Sequence, residues 1–353
     1  MLTIGACGFS STGSSAVTDI LKEYDDNVVL DKAEFTLTWC ADGIEDLHYH
    51  MFEGCRRDLS DRIAIERFTQ RFCKKSIDSY QTLTKGRFSQ LTEKYIDDIT
   101  QVKWIGPLNP LLSSRFRLKM NSLACRMKAY EKLSRIEQRK GHGICMYPLK
   151  EVRMAIRPDN FVEISRKYVM DVLDAMGRDP GKNVVLDQPF SGNNPQASFA
   201  YFENPKAIVV DRDPRDYYLF VKTFLYKKGI RQIPAYNAKD FVRFYRNERE
   251  NQPYKEKRDD VIVVRFEDLV YRCEETRKTL LDFCEVNPDS RTRKIFEPDK
   301  SIHNTQLFKR SHEYDADIEY ISKELAQYLY PFEEFGDIDT EGEMFYGKSA
   351  LNK

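Results

Sequence analysis

LTIGACGFSSTGSSAVTDILKEY, residues 2–24, decides how this chain is read. Leu2 to Cys7 is a short apolar run that suits a buried strand. GFSSTGSS, residues 8–15, is a Gly/Ser/Thr loop, and Ala16 to Leu21 falls into helical rhythm. A strand, a small-residue loop and a helix start together make an anion cradle. Glycine lets the backbone come close, loop N–H groups point at the ligand, and the helix dipole favours negative charge there. Gly8 and Gly13 have the Walker spacing, but Ser14 stands where an NTPase carries its lysine.

A second stretch points the same way. AIVVDRDPRDYYLF, residues 207–220, opens with another buried strand, Ala207 to Val210. Asp213 is placed to cap the next helix, Pro214 fits its first turn, and Asp216 lies three residues past the cap. A well-made helix start accounts for these residues but not for Arg212. An arginine between a buried strand and a helix N-terminus sits at the carboxyl edge of the sheet, where open α/β folds bind ligands. Its planar fork of donors suits a phosphate.

With both segments in view, the chain resembles the sulfotransferases that use 3′-phosphoadenosine 5′-phosphosulfate (PAPS). In that family a strand–loop–helix near the N-terminus holds the 5′-phosphosulfate, and an arginine opening an R-x-P-[KR]-D segment holds the 3′-phosphate. Three further segments are similar: VVLDQP (184–189) to the strand that ends in the catalytic base, VVRFEDL (263–269) to a strand turning into a long helix, and KSIHN (300–304) to a late basic loop over the nucleotide. The resemblance covers residues 2–24 and roughly 183–310, and little of 25–180. Its overall look is that of bacterial members acting on surface polysaccharides. It implies donor binding by Phe9, Ser10, Ser11, Thr12, Gly13, Ser14, Ser15, Arg212, Ser301 and Asn304. It implies Asp187 as general base and no metal. Two departures stand out. Ser11 occupies the place of the family's cradle Lys or Arg, and Phe220 that of a serine eight residues after the arginine. A cation from the late loop, Lys300 first, is expected to stand in for the cradle lysine as a catalytic residue.

The composition of the 353 residues fits an ordinary soluble protein: 41% hydrophobic, 32% charged, net charge zero. Nothing global favours nucleic acid, and no run is long enough to span a membrane. The chain begins directly with the cradle strand, which leaves no room for a signal peptide, so a cytoplasmic protein is expected. The eight cysteines are never closer than eleven residues, so no C-x-x-C signature exists and free thiols are expected. HYH at 48–50 lacks the further ligands of a metal site.

Strands are expected at 27–30, 35–39, 183–187, 207–211 and 260–265. Helices are expected at 43–52, across 60–100, and at 113–140, 159–176, 213–228, 238–249, 267–285 and 316–329. Strands alternating with helices imply βαβ units, hence an α/β fold with a P-loop-like, mostly parallel sheet flanked by helices. The expected organisation is a single sulfotransferase-like domain over 1–353. A helical insertion at 55–140 would be its acceptor-binding region. Residues 111–140 carry nine Lys/Arg against Glu131 and Glu137. That excess reads either as a solvated helix face or as a surface for an acidic glycan or an anionic membrane. Glu267 and Asp268 are expected to cap the helix that follows them.

Sulfuryl transfer needs an acceptor hydroxyl deprotonated, the sulfonate held in line, and charge on the leaving phosphate neutralised. Asp187 at a strand end suits the base; it also suits a turn cap or, after four apolar residues, a Walker-B-like Mg ligand. The leading expectation is therefore a PAPS-dependent sulfotransferase acting on a carbohydrate or glycolipid hydroxyl. A P-loop kinase or NTPase and a non-catalytic binder of nucleotide or glycan remain as rivals.

Overall fold

The computed structural model describes residues 1–56, 59–74, 78–107, 131–132, 149–250, 258–310 and 312–336. The expected basic helix at 111–140 lies outside the described residues, with Glu131 and Lys132 excepted, as do Cys125 and Cys145. Seven strands occur among the described residues: β1 Thr3–Gly8, β2 Asn27–Leu30, β3 Val102–Pro107, β4 Leu149–Met154, β5 Asn183–Asp187, β6 Pro205–Asp211 and β7 Val261–Arg265.

The described chain divides into two compact units. The first comprises Met1–Cys40, Asp78–Arg87 and Val169–Lys353. Its centre is a five-stranded, all-parallel sheet in the order β2-β5-β1-β6-β7. Runs such as NVVLD and KAIVVD make this possible, because strands covered on both faces need apolar side chains on both. β1 lies between β5 and β6, with Ala6 paired to Asp187 and Gly8 to Val210. After β1 the chain crosses to β2 on one side, and after β5 it crosses to β6 on the other. The end of β1 is thus a topological switch point, where such sheets bind ligands.

The helix that follows, α1 (Ser14–Leu21), buries Ala16, Val17, Ile20 and Leu21 against Ile4 and Ala6 of β1, Ile208 and Val210 of β6, and Val264 of β7. A second cluster packs Tyr217, Tyr218 and Phe220 against Phe241, Tyr245, Leu307 and Ile321.

Three expectations for this unit are corrected. Residues 35–39 form no strand. Their backbone and side chains are tied singly: Phe35 N–H to the Asp187 carbonyl (2.7 Å), Thr36 N–H to the Tyr80 hydroxyl (2.8 Å), and the Trp39 indole to the Gln188 carbonyl (2.9 Å). The helix expected at 267–285 is two helices, Phe266–Tyr271 and Cys273–Cys284, parted where Arg272 leaves helical geometry (φ −121°, ψ 41°). Glu267 and Asp268 do not cap that helix. Glu267 accepts the Asp213 N–H (2.7 Å) and Asp268 the Tyr330 hydroxyl (2.8 Å), both long-range bonds that local spacing cannot reveal.

The second unit comprises Ala41–Ile77 and Phe88–Tyr168. It includes the helices Ser60–Thr69 and Phe88–Ile99, and also an antiparallel β3–β4 pair where the sequence suggested only helices and a break. Asp61, buried, accepts the Ala155 N–H that follows β4 (3.0 Å). The Tyr95 and Tyr168 rings stack at 4.4 Å. His50 contacts the Ser60 hydroxyl through Nδ1 (2.7 Å) while Nε2 faces Arg67 (3.5 Å).

Candidate active site

The cradle is built by unusual backbone. Ser10 (φ 62°), Ser11 (φ 56°) and Gly13 (φ 106°) all lie in the left-handed region. Two serines there are a strained choice, and such strain collects at functional sites. Left-handed residues in a tight turn aim successive N–H groups into one concavity, an anion nest at the start of α1. Gly13 is required twice over, since a Cβ would also come within 2.5 Å of the Phe266 ring.

Phe9 and Thr12, expected to touch the donor, instead hold the loop from beneath. Thr12 is buried; its hydroxyl accepts the Phe9 N–H (3.1 Å) and donates to the Val210 carbonyl (2.6 Å). The Phe9 carbonyl accepts the Tyr217 hydroxyl (2.7 Å), and its ring lies 4.1 Å from the Arg249 guanidinium.

Gln188 is a site residue that the sequence reading missed. It has φ 53° although Pro189 follows, a combination disfavoured by both the side chain and the proline. Its amide bridges the cradle, accepting from the Gly8 N–H (3.3 Å) and donating to the Ser14 hydroxyl (3.0 Å). A polar residue between a buried strand and a proline was the available signal.

Arg212 is buried and donates to the Asn304 carbonyl. Its guanidinium lies 4.9 Å from the Phe220 ring centre and 5.3 Å from that of Phe266. Asp213 caps the helix Pro214–Leu219 through the Arg215 N–H (2.9 Å), as its sequence suggested. Asp216 does more than favour the helix start. Its two oxygens accept the N–H groups of Gln306 and Leu307, so it fixes the loop that carries Ser301 and Asn304. Burial beside Asp213 pushes the Asp216 carboxyl up, against the pull of Arg212 and these N–H donors. Burial likewise pushes Glu267 up to about 7, opposed by Arg265.

A cavity of about 1060 Å³ opens at this edge of the sheet. Ser10, Ser11, Gly13, Ser14 and Ser15 line it from the cradle, Asp187 and Gln188 from β5, Arg212 and Phe220 from β6 onward, and Ser301 and Asn304 from the late loop. Most of the expected site residues therefore meet in one place. Phe9, Thr12 and Lys300 do not line it. The Lys300 ammonium pairs with Glu297 at 2.7 Å, on a largely exposed side chain. The lysines that do line the cavity are Lys22, held by Asp19 (2.9 Å) and Asp31 (2.5 Å), and the exposed Lys294. Trp39, Ile295 and Phe296 add apolar and aromatic wall.

The 294–296 wall is anchored by Glu23, two residues past the end of α1. Its buried carboxylate accepts the N–H groups of Ile295 (2.7 Å) and Phe296 (2.8 Å) and pairs with Arg277 (2.5 Å) and Arg291 (2.8 Å). These bonds hold its carboxyl below the usual range despite burial.

Among the described residues, no group of three or more His, Cys, Asp or Glu side chains is placed to hold a metal ion. Among them, too, no helix is long and apolar enough to cross a membrane. Cys7, Cys55, Cys273 and Cys284 are free thiols.

No family model matches this chain, and no curated protein matches it. Among solved structures it is similar to the sulfotransferase domain from the curacin biosynthetic pathway, with a TM-score of 0.41 and 13% identity over 93% of this chain and 98% of that one.

Proposed function

We propose that this chain is a sulfotransferase that moves a sulfuryl group from PAPS to a hydroxyl of a carbohydrate or glycolipid acceptor. One observation carries the reading: a single cavity gathers the anion nest, a buried arginine, a strand-end carboxylate and the late loop. Cavities for small ligands run to roughly 300–1,000 Å³, so this one has room for a nucleotide and part of an acceptor. The residues fit the donor. The nest and the start of α1 suit a 5′-phosphosulfate, Arg212 a 3′-phosphate, and Ile295 with Phe296 the flat face of a base.

PAPS supplies the sulfuryl group: the bond from acceptor oxygen to sulfur forms as the sulfur–oxygen bond to the 5′-phosphate breaks, leaving 3′,5′-ADP. Asp187 takes the proton of the acceptor hydroxyl. Trp39, Glu34 and Asp187 offer the ring and carboxylate oxygens that a sugar's apolar face and hydroxyls match. With Ser11 at the cradle's cation position and Lys300 paired to Glu297, charge on the leaving phosphate falls to the loop N–H groups, the α1 dipole and Lys294.

Ser11 also favours a second reading, a protein that binds nucleotide or glycan without turnover. A thermal-shift titration separates the readings. Stabilisation by 3′,5′-ADP without Mg supports the donor site, stabilisation by 5′-ADP only with Mg supports a kinase, and a response to neither favours the glycan-binding reading. Release of 3′,5′-ADP from PAPS in the presence of glycan acceptors then separates enzyme from binder.

A further inference from the structure

We infer that Phe220 is a positioning residue that sets the site's preference for a nucleotide bearing a 3′-phosphate. This rests on the reading of Arg212 as the 3′-phosphate ligand. Arg212 is 3% exposed, and a guanidinium in so buried a residue needs its faces covered and edge atoms bonded. Here Phe220 (4.9 Å) and Phe266 (5.3 Å) supply rings, and the Asn304 carbonyl takes one edge. Neither ring is free to drift. Phe220 opens a π-helical turn, Phe220–Leu225, and stacks on Phe224 at 5.3 Å with the planes 16° apart. Phe266 is wedged against Gly13, where even a methyl group would collide. The plane of the guanidinium is thereby set relative to the nest. A planar fork recognises a phosphate only when its edge faces the anion, so fixing the plane selects the phosphate's position on the ribose. Phe220 itself bears no donor, so its effect passes entirely through Arg212.

The test compares wild type, Phe220→Leu, Phe220→Met, Phe220→Tyr and Arg212→Ala by calorimetric titration with 3′,5′-ADP and with 5′-ADP. The ratio of the two dissociation constants is the readout. Phe220→Leu and Phe220→Met stay apolar and unbranched at Cβ and lose the ring. The ratio is expected to fall about tenfold in each, with 5′-ADP affinity unchanged, while Phe220→Tyr keeps the wild-type ratio. Methionine provides a second ringless variant should the leucine protein fail to fold. An unchanged ratio in the ringless variants, with Arg212→Ala losing it, overturns the inference and leaves the donor reading standing. An equal loss for both ligands also overturns it, since Phe220 would then be packing alone. A wild type with no preference for 3′,5′-ADP overturns the donor reading and the inference together.

Discussion

The Asp216 carboxylate receives the backbone N–H groups of Gln306 and Leu307, each at 2.7 Å. Four residues earlier, Arg212 donates to the Asn304 carbonyl. The RDPRD segment therefore grips the late loop at two points, one through its arginine and one through its last aspartate.

Replacing Asp216 by asparagine turns one acceptor into a donor that faces an N–H. Leaving a buried donor unsatisfied costs roughly 1–3 kcal/mol. Urea denaturation of Asp216→Asn should show a loss of that size, and 3′,5′-ADP should bind more weakly as Asn304 loses its seat.

The pH dependence follows from Glu267. In the folded chain it keeps its proton up to about 7, whereas the ordinary value is 4.5. Between those values the native state binds more protons than the unfolded state, so this group's contribution to stability falls as pH rises. The upward shift of Asp216 acts in the same direction. Glu267→Gln removes the Glu267 contribution. Denaturation curves at pH 4.5 and 7.5 should show wild type losing more stability than the variant, by roughly 3 kcal/mol at most. Parallel losses would sink the assignment.

Glu23 should behave oppositely to Glu267 and matter more. Its lowered pKa means that its stabilisation is complete above the unfolded value and is lost as pH falls through the folded one. Glu23→Ala leaves Arg277 without its buried partner, a loss of about 3–5 kcal/mol. It also frees the backbone at Ile295 and Phe296. Thermal melts and nucleotide titration should both register the change.

Two lysines distinguish the possible sources of positive charge. Lys294 lines the cavity; Lys300 does not, and its ammonium is paired with Glu297. Lys294→Ala should weaken 3′,5′-ADP binding several-fold and Lys300→Ala should leave it nearly unchanged, surface pairs being worth about 0–1 kcal/mol. The reverse order in titrations would return the role to Lys300.

Thr12→Val keeps the shape and removes both hydroxyl bonds beneath the cradle. The Phe9 N–H then lacks an acceptor, for a cost of roughly 1–3 kcal/mol in chemical denaturation. If Thr12 touched the donor instead, affinity would drop with stability intact.

The sequence carried the sheet because its central strands, β1, β5 and β6, are buried on both faces and read as apolar runs. The cradle was legible because left-handed backbone needs small residues, and Arg212 because a cation is rare at a buried strand end. Phe9 and Thr12 were placed on the ligand side because their residue types and spacing fit; only the folded loop turns their side chains inward. Gln188, Glu23 and Phe296 escaped notice because their roles depend on segments more than a hundred residues apart meeting at α1. Residues 35–39 looked like a strand by composition, yet their backbone groups find side-chain and loop partners instead of a ladder.

The pairing of Gly8 with Val210 has a metric consequence. The nest begins two residues beyond Gly8, at Ser10, and the arginine lies two residues beyond Val210, just past the end of β6. The backbone points from which the two depart are thus held apart by the gap between adjacent parallel strands, about 4.8 Å, which no surface substitution alters. The backbone ladder works as a caliper: mutation can blunt either jaw, but the gauge of the pair belongs to the sheet.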